Sequence, residues 1–210
     1  MLRWLDGKLP VPKIVEHINA NKLSYLLMYK CSGKMACDPE YMQHPEQQAQ
    51  LLADALCAMW QIDWITCPYH NSLEQKLQQA EFNIIHNLLN TNACDPETFS
   101  NTEFKNPETL LNWLQNNRPE EDLAISHGDF CLPNILFQNR MLNGLIDLGR
   151  SGVADKWCDI ALCYRSMRDN YNGKYGRKWS GFSDQYLFDA LQIKPDWEKI
   201  RYYILLDELF

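Results

Sequence analysis

The sequence predicts an α+β fold that is mostly helical and carries one small β-hairpin. Apolar residues recur at helical spacing over long stretches in both halves of the 210-residue chain. The period shortens between residues 123 and 147, where two short apolar runs flank the segment Asn139–Asn143, which predicts a turn. A helical body with one inserted hairpin follows from these two observations.

The N-terminal part predicts a short helix and one strand. Residues 1–9 have the pattern of a helix end, which Gly7 and then Pro10 and Pro12 stop. The apolar run Leu23–Met28 predicts a strand, and the polar stretch containing Gly33 predicts a loop after it.

The remaining elements are mainly helices. Their apolar side chains repeat every three or four residues, whereas the segments between them are rich in Asn, Asp, Thr, Gly and Pro. Helices are predicted from Pro45, over about 73–89, after Pro107, from about Lys156, and near 184–191 and 196–209, with loops at 90–106 and 170–183. Strands are predicted at 123–126, 135–138 and 144–147.

Composition narrows the class of protein. The net charge is -7, which argues against nucleic acid as a partner and suits a cationic ligand. Eight cysteines form no Cys-x-x-Cys pair, so neither a zinc ribbon nor a redox motif is predicted. Since the chain shows neither a signal peptide nor an apolar run long enough for a membrane span, we expect reduced thiols, no membrane partner and a cytoplasmic location.

The polar residues around the hairpin suggest a metal-assisted chemistry. Asp129 follows a predicted strand, Asn134 comes five positions later before the next strand, and Asp147 ends the second hairpin strand. These are oxygen ligands, which suit Mg²⁺ better than Zn²⁺. Phosphoryl transfer needs one Asp at the attacking hydroxyl, and an Asn and a second Asp for the metal ions that bind the phosphates.

Each motif taken alone is weak. His-Gly-Asp and Asp-Leu-Gly occur by chance, and an isolated Asp or Asn often caps a turn. The combined spacing favours phosphoryl transfer, with His127 as a structural hydrogen-bonding residue. A hydrolase that binds metal through His127, Asp129 and Asp147 is the weaker alternative. Asp155 is predicted to cap a helix, and Asp159 to anchor the loop around Asp129.

The chain resembles the aminoglycoside 3'-phosphotransferases, antibiotic-resistance kinases with a protein-kinase-like fold. Three segments carry the resemblance: the loop motif His-Gly-Asp-x-x-x-x-Asn at 127–134, the motif from Ile146 to Ala161, and the ending from Trp197 to Phe210. The resemblance implies ATP and Mg²⁺ as cofactors and transfer of a phosphoryl group to the 3'-hydroxyl of kanamycin- or neomycin-like drugs. Kinases of choline or homoserine share the shorter motifs and remain an alternative.

The resemblance also implies residue roles. Asp129 would be the catalytic base, and Asn134 and Asp147 would bind Mg²⁺. Tyr29 and Cys31 would offer backbone hydrogen bonds to adenine, and Ile146 would pack on it. The drug would contact Arg150, Arg165, Asp95, Asp207, Glu208 and the carboxylate of Phe210.

The C-terminal acids support this expectation independently. Asp207, Glu208 and the α-carboxylate crowd the end of a predicted helix, where acids oppose the macrodipole by roughly 0.3–1 kcal/mol each. Such a cluster is either solvated or a binding site for a cation. Because aminoglycosides are polyamines, the cluster suits them as substrates.

The N-terminal part lacks the sequence features that bind nucleotide phosphates in this fold. No Gly-rich loop and no strand lysine precede the expected hinge. Residues 1–30 are therefore interpreted as a remnant of the N-terminal lobe with the hinge strand, and residues 31–210 as the C-terminal lobe with the catalytic and drug sites. We expect exposed apolar surface and aggregation, and an inactive remnant is a further alternative.

Overall fold

The computed structural model describes residues 1–90, 94–100 and 103–210. The helices in this part of the chain are α1 (Leu2–Leu5), α2 (Pro39–Met42), α3 (Pro45–Trp60), α4 (Leu73–Ile85), α5 (Pro96–Ser100), α6 (Pro107–Asn116), α7 (Lys156–Tyr171), α8 (Tyr186–Leu191) and α9 (Trp197–Asp207). The strands are β1 (Ile14–Ala20), β2 (Leu23–Met28), β3 (Lys34–Met35), β4 (Leu123–Ser126), β5 (Ile135–Gln138), β6 (Met141–Leu145) and β7 (Gly152–Asp155). The predicted α+β, mostly helical architecture is confirmed.

Side-chain caps fix where the helices begin. Ser72 with Gln75 and Asn106 with Thr109 form capping boxes at α4 and α6. Asp155 accepts a hydrogen bond from the backbone N–H of Trp157 and so caps α7, as the sequence predicted. The most extensive helix–helix contacts are those of α3 against α8 and of α7 against α9.

Three small antiparallel sheets accompany the helices. One is the hairpin β1–β2, the second has the order β3–β5–β6, and the third pairs β4 with β7. The second sheet carries the predicted hairpin, but its turn is shorter than predicted. Gln138 pairs with Met141, and the two turn residues Asn139 and Arg140 have φ of 52° and 59°. Positive φ at both positions is typical of a two-residue turn, so the second strand begins at Met141 instead of Gly144.

One hydrophobic core contains side chains from the helices and from the strands around the predicted hairpin. Leu52 and Leu56 of α3, Ile160 of α7, Phe188 of α8 and Ile135 of β5 are all fully buried in it. The hairpin β1–β2 lies outside this core, since only Ile14 among its strand residues is partly buried. The described helices include none with the length and apolar character required to cross a bilayer.

Candidate functional site

A buried carboxylate accepts hydrogen bonds from the backbone of the loop that carries Asp129. Asp159 on α7 is fully buried and accepts hydrogen bonds from the backbone N–H groups of His127 (2.7 Å) and Gly128 (2.9 Å). Burial raises the pKa of the Asp159 carboxyl, and His127 and these two amides oppose the rise. The predicted anchoring role of Asp159 matches this geometry.

Gly128 permits a second contact that shapes the loop. Its φ is +81°, and a Cβ atom there would lie 2.1 Å from the carbonyl oxygen of Arg150. A side chain at this position would therefore push away the turn that follows Asp147. The loop and that turn can come together because residue 128 is glycine.

His127 has the environment of a structural residue. Its ring is fully buried, and Nδ1 accepts a hydrogen bond of 3.3 Å from the backbone N–H of Asp129. Burial lowers the pKa of the ring, so His127 is neutral at pH 7 and its proton resides on Nε2. The ring therefore orients Asp129 by a hydrogen bond, as the sequence interpretation expected.

The structure brings Asp129, Asn134 and Asp147 to one rim of the hairpin. Asn134 Nδ2 donates to the Asp129 carboxylate at 2.9 Å and to its carbonyl oxygen at 3.0 Å. The backbone N–H of Ile146 donates to the carbonyl oxygen of Asn134 (3.0 Å), which places Asp147 next to Asn134. Asp147 adopts a left-handed conformation with φ 58° and is exposed.

These side chains fit a magnesium ion. The amide nitrogen of Asn134 is engaged with Asp129, so its Oδ1 is available as a ligand beside the carboxylate of Asp147. Carboxylate and carboxamide oxygens are the donors that Mg²⁺ prefers. Cys131, in the same loop, has its pKa raised by burial and then by Asp129, so its thiol stays protonated and does not compete for the metal.

A large cavity opens beside Asp147. It has a volume of about 1010 Å³ and is lined by all three residues predicted to contact adenine, Tyr29, Cys31 and Ile146. Gly144 allows the segment around Cys31, between β2 and β3, to approach β6 closely, because a Cβ atom at residue 144 would lie 2.9 Å from Cys31 Cβ. Arg3 and Lys30 are cationic side chains of the described residues that line this cavity.

The predicted drug-site residues form one ionic network. The Asp207 carboxylate accepts from Arg150 at 3.0 Å and from Arg165 at 2.5 Å. Arg165 also lies 3.7 Å from Glu208, whose carboxylate accepts from the backbone N–H of Asp95 at 2.8 Å. The Arg150 guanidinium stacks on the Phe210 ring at 5.0 Å.

The C-terminal acids are thus built into the structure. Glu208 is buried, and burial raises its pKa. Asp207 is shared between two arginines, which offset the unfavourable position of an acid at the end of α9. The sequence left two interpretations of the C-terminal acids, a solvated cluster and a cation site. Asp207 and Glu208 are not fully solvated.

Sequence reasoning missed several side chains that support the site. Ser166 accepts a hydrogen bond from the backbone N–H of Leu132 (3.0 Å), and Asn71 donates to the carbonyl oxygen of Arg150 (2.5 Å). Asp169 pairs with Lys174 at 3.0 Å, and Lys174 lies 3.5 Å from Asp95. Ser166 could have been found, since it lies seven residues after Asp159 and therefore on the same face of α7.

Comparisons with known proteins identify relatives over the whole chain. The model of the phosphotransferase enzyme family, APH, matches residues 1–203. An aminoglycoside 3'-phosphotransferase of Enterococcus faecalis is 43% identical over 218 residues, covering 100% of this chain and 76% of the relative.

Solved structures agree with the sequence relatives. The crystal structure of an aminoglycoside-3'-phosphotransferase of type VIII matches with a TM-score of 0.83 at 28% identity, covering 100% of this chain and 77% of its own. An aminoglycoside phosphotransferase of Streptomyces rimosus, in complex with ADP and streptomycin, matches with a TM-score of 0.80 at 24% identity, covering 99% of this chain and 79% of its own. The second likeness shows the fold alone.

Proposed function

The chain belongs to the aminoglycoside 3'-phosphotransferases of the phosphotransferase enzyme family, and we propose that it transfers the γ-phosphoryl group of ATP to the 3'-hydroxyl of an aminoglycoside antibiotic. The observation that carries the proposal is the hydrogen bond between Asn134 and Asp129 beside the exposed Asp147. This contact supports the proposal because phosphoryl transfer requires a carboxylate at the attacking hydroxyl beside oxygen ligands for the metal ions, and Asp129, Asn134 and Asp147 could supply them.

Asp129 accepts the proton of the attacking hydroxyl in this mechanism. The Asn134 amide orients the Asp129 carboxylate through a hydrogen bond. The hydrogen bonds from the backbone amides of residues 127 and 128 to Asp159 hold the loop in place. Asn134 Oδ1 and the Asp147 carboxylate would hold Mg²⁺, and the bound ion would supply positive charge to neutralise the phosphates. Positioning and charge stabilisation therefore come from the same rim of the hairpin.

The nucleotide lies in the 1010 Å³ cavity. Backbone groups of Tyr29 and Cys31 bind the adenine edge, and Ile146 packs on its face. Arg3 and Lys30 are the cationic side chains at this cavity to which we assign contacts with the phosphates. Residues 1–30 then form the nucleotide side of the site, with the hinge strand, and residues 31–210 form the lobe that carries the metal and drug sites.

The drug lies against the ionic network of Arg150, Arg165, Asp207, Glu208 and Asp95, with the Phe210 carboxylate at its edge. The carboxylates attract the ammonium groups of an aminoglycoside, while the arginines hold these acids in fixed positions. All eight cysteines are free thiols, and ATP is an intracellular substrate, so we propose a cytoplasmic enzyme.

A phosphorylation assay with the full chain tests this function. Kanamycin and neomycin, incubated with ATP and Mg²⁺, should yield a monophosphorylated product whose phosphate NMR places at the 3'-oxygen. Choline and homoserine serve as matched substrates and should give no product. Turnover of choline or homoserine without drug turnover would replace the proposal by the alternative kinase, and failure to bind ATP would favour an inactive remnant.

Replacing the proton acceptor should have the largest effect on turnover. Asp129→Asn keeps the size of the side chain but removes its charge, so kcat should fall by about 10²–10⁴-fold. The affinity for Mg²⁺–ATP, measured by calorimetry, should change little. Asp54→Asn on the exposed face of α3 is the control and should keep wild-type kcat; a kcat within threefold of wild type in the Asp129 variant would contradict the assigned role.

A further inference from the structure

The C-terminal residues line a cavity together with one face of α4. The cavity has a volume of about 510 Å³, and its wall includes Arg150, Asp207 and Phe210, which we assign to the drug. Gln79 and Asn83 of α4 contribute carboxamides to the same wall. These two residues are not among the contacts that we assign to the nucleotide, the metal or the drug.

Asn83 joins α4 to the segment that follows α9. Its Nδ2 atom donates a hydrogen bond of 2.9 Å to the carbonyl oxygen of Leu209, a residue 126 positions away in sequence. This carbonyl lies past the end of α9, where backbone acceptors have no N–H partner within the helix. The asparagine side chain therefore pairs an acceptor that the helix itself leaves unpaired.

A neighbouring carboxamide sets the orientation of Asn83. Gln79 Nε2, one turn earlier on α4, donates to Asn83 Oδ1 at 2.9 Å. Because the Asn83 oxygen accepts from Gln79, its NH₂ group is the part that faces Leu209. The helix is a firm support for this pair of side chains, since a capping box fixes its start and Leu73 and Leu77 are buried in the core.

The segment that Asn83 holds ends in a proposed drug contact. Leu209 is fully buried, and the next residue, Phe210, has its ring 5.0 Å from the Arg150 guanidinium. Arg150 in turn pairs with Asp207 at 3.0 Å. The last residues of a chain are poorly ordered unless other parts of the protein hold them. The position of the Phe210 ring on Arg150 therefore depends on what holds the Leu209 carbonyl.

Two other hydrogen bonds to this segment act one residue earlier. Cys94 Sγ donates to the carbonyl oxygen of Glu208 at 3.4 Å, and the backbone N–H of Asp95 donates to the Glu208 carboxylate at 2.8 Å. Both contacts fix Glu208, whereas the Asn83 hydrogen bond fixes the peptide group that carries Phe210.

We propose that Asn83 is a positioning residue of the drug site, because its hydrogen bond to Leu209 keeps Phe210 against Arg150. The proposal rests on the proposed function for the identity of the ligand. It does not rest on that function for the placement of the C-terminal residues, which can be measured without drug or ATP. Residue 83 then governs drug affinity and leaves phosphoryl transfer at Asp129 unchanged.

Asn83→Leu removes the donor and keeps the approximate size of the side chain. The Kd of kanamycin, measured by calorimetry, and its KM should rise about threefold to tenfold, the change that one hydrogen bond of ordinary strength produces. The kcat at saturating drug should stay within about twofold of wild type, because the lost interaction is the same in the ground state and the transition state. Gln78→Leu removes a carboxamide of the same helix that donates to Glu74 at 3.0 Å, and this matched control should keep the wild-type KM and kcat.

A double variant separates positioning from a direct contact between Asn83 and the drug. Phe210→Ala removes the ring from Arg150, so in that background Asn83→Leu should weaken kanamycin binding by less than about twofold further. If the effects of the two substitutions multiply instead, Asn83 binds the drug directly and the positioning role is wrong.

Digestion with carboxypeptidase A, without drug or ATP, measures the placement of the C-terminal residues by itself. Mass spectrometry should show that Phe210 is released at least about fivefold faster from Asn83→Leu than from wild type or Gln78→Leu, because a loosened chain end is accessible to the protease. Gln79→Leu removes only the hydrogen bond that orients Asn83. It serves as the second variant if Asn83→Leu does not fold, and should raise both KM and the release rate by about twofold.

The two measurements distinguish a failure of this proposal from a failure of the proposed function. Equal release rates for wild type and a folded Asn83→Leu variant would overturn the proposal even if the chain phosphorylates kanamycin. Faster release with unchanged kanamycin affinity would overturn the positioning role alone. Faster release from a chain whose wild type does not bind kanamycin would refute the proposed function, and the drug-site role of Asn83 with it.

Discussion

The catalytic segment 123–159 and the hairpin β1–β2 face the same nucleotide cavity but are stabilised very differently. The loop backbone of the catalytic segment is hydrogen-bonded by the buried side chains of Asp159 and, seven residues further along α7, of Ser166, and the strands β4 and β5 lie in the core. In the hairpin, 12 of the 13 strand residues are exposed on the two faces, and Leu23, Tyr25 and Leu27 are more than half exposed.

The difference shows where preorganisation in this site comes from. A buried loop with satisfied backbone groups keeps its geometry before any ligand binds, so under the proposed function Asp129 and Asn134 would already be in position for the hydroxyl and the metal. An isolated two-stranded sheet is only marginally stable in water, so under the proposed function nucleotide binding would have to order the hairpin at the expense of binding free energy. The region proposed to bind the metal is therefore rigid, and the region proposed to bind the nucleotide is the less stable part of the site.

The strongest test of the rigid region is to remove the charge of its anchor. Asp159→Asn cannot accept from both the His127 and Gly128 amides, because its Nδ2 atom would face one of these donors. We expect a loss of about 2–4 kcal/mol in the free energy of unfolding, the range for leaving a buried donor unsatisfied and losing a charged hydrogen bond. Urea unfolding followed by tryptophan fluorescence measures this loss.

A matched variant gives this experiment its control. Asp54→Asn removes an exposed carboxylate that accepts from Gln50 and should change the free energy of unfolding by less than about 0.5 kcal/mol. Should Asp159→Asn prove as stable as Asp54→Asn, the loop would not depend on its buried anchor. The contrast between the two regions would then be lost.

Local spacing was enough to predict the rigid region. Asp129, Asn134 and Asp147 lie within 19 positions of sequence, so one strand, one turn and a second strand bring them together. Asp159 could be predicted for the same reason, since it lies on the first turn of the helix that follows. The turn at Asn139 and Arg140 was predicted too long, because asparagine often adopts positive φ but arginine seldom does, so the sequence does not mark Arg140 as the second turn residue.

Long-range pairings could not be predicted from local spacing; the family resemblance placed Arg165 and Asp207 at one site but did not give their ion pair. The ion pair between Arg165 of α7 and Asp207 of α9 joins residues 42 positions apart, and the packing of α7 on α9 brings them together. The strand β1 was missed because Glu16, His17 and Asn19 interrupt its apolar pattern, and β7 because its residues are small. Both strands are recognisable only through their partners, β2 and β4.

The two regions should also differ, by a smaller amount, in how the free energy of unfolding depends on pH. Burial lowers the pKa of His127 from its usual 6.5, so below pH 6.5 the unfolded chain binds a proton that the folded chain does not. The stability contributed by neutral His127 is therefore complete above that pH and is lost as the pH falls toward the folded-state pKa. We expect the free energy of unfolding to fall between pH 6.5 and 5.5, and protonation of His127 in the unfolded chain to account for part of that fall.

Comparing the slope of the free energy of unfolding against pH between variants separates the contribution of His127 from that of the other titrating groups. The free energy of unfolding of His127→Gln should depend less on pH in this window than that of wild type, whatever its absolute stability. His17→Gln, in the exposed hairpin, is the matched control and should keep the wild-type slope. Equal slopes for wild type and His127→Gln would show that the buried ring does not stay neutral.

The smallest effect on stability is expected in the hairpin itself. Leu27 is 58% exposed, and threonine keeps the preference for a strand, so Leu27→Thr should change the free energy of unfolding by less than about 0.5 kcal/mol. The same change at the fully buried Leu52 should cost about 2–5 kcal/mol. Light scattering should show less self-association of Leu27→Thr than of wild type, because an exposed apolar patch favours aggregation. A loss above 1 kcal/mol in Leu27→Thr would mean that the hairpin packs against the body in solution, and the nucleotide side would then be as rigid as the metal side.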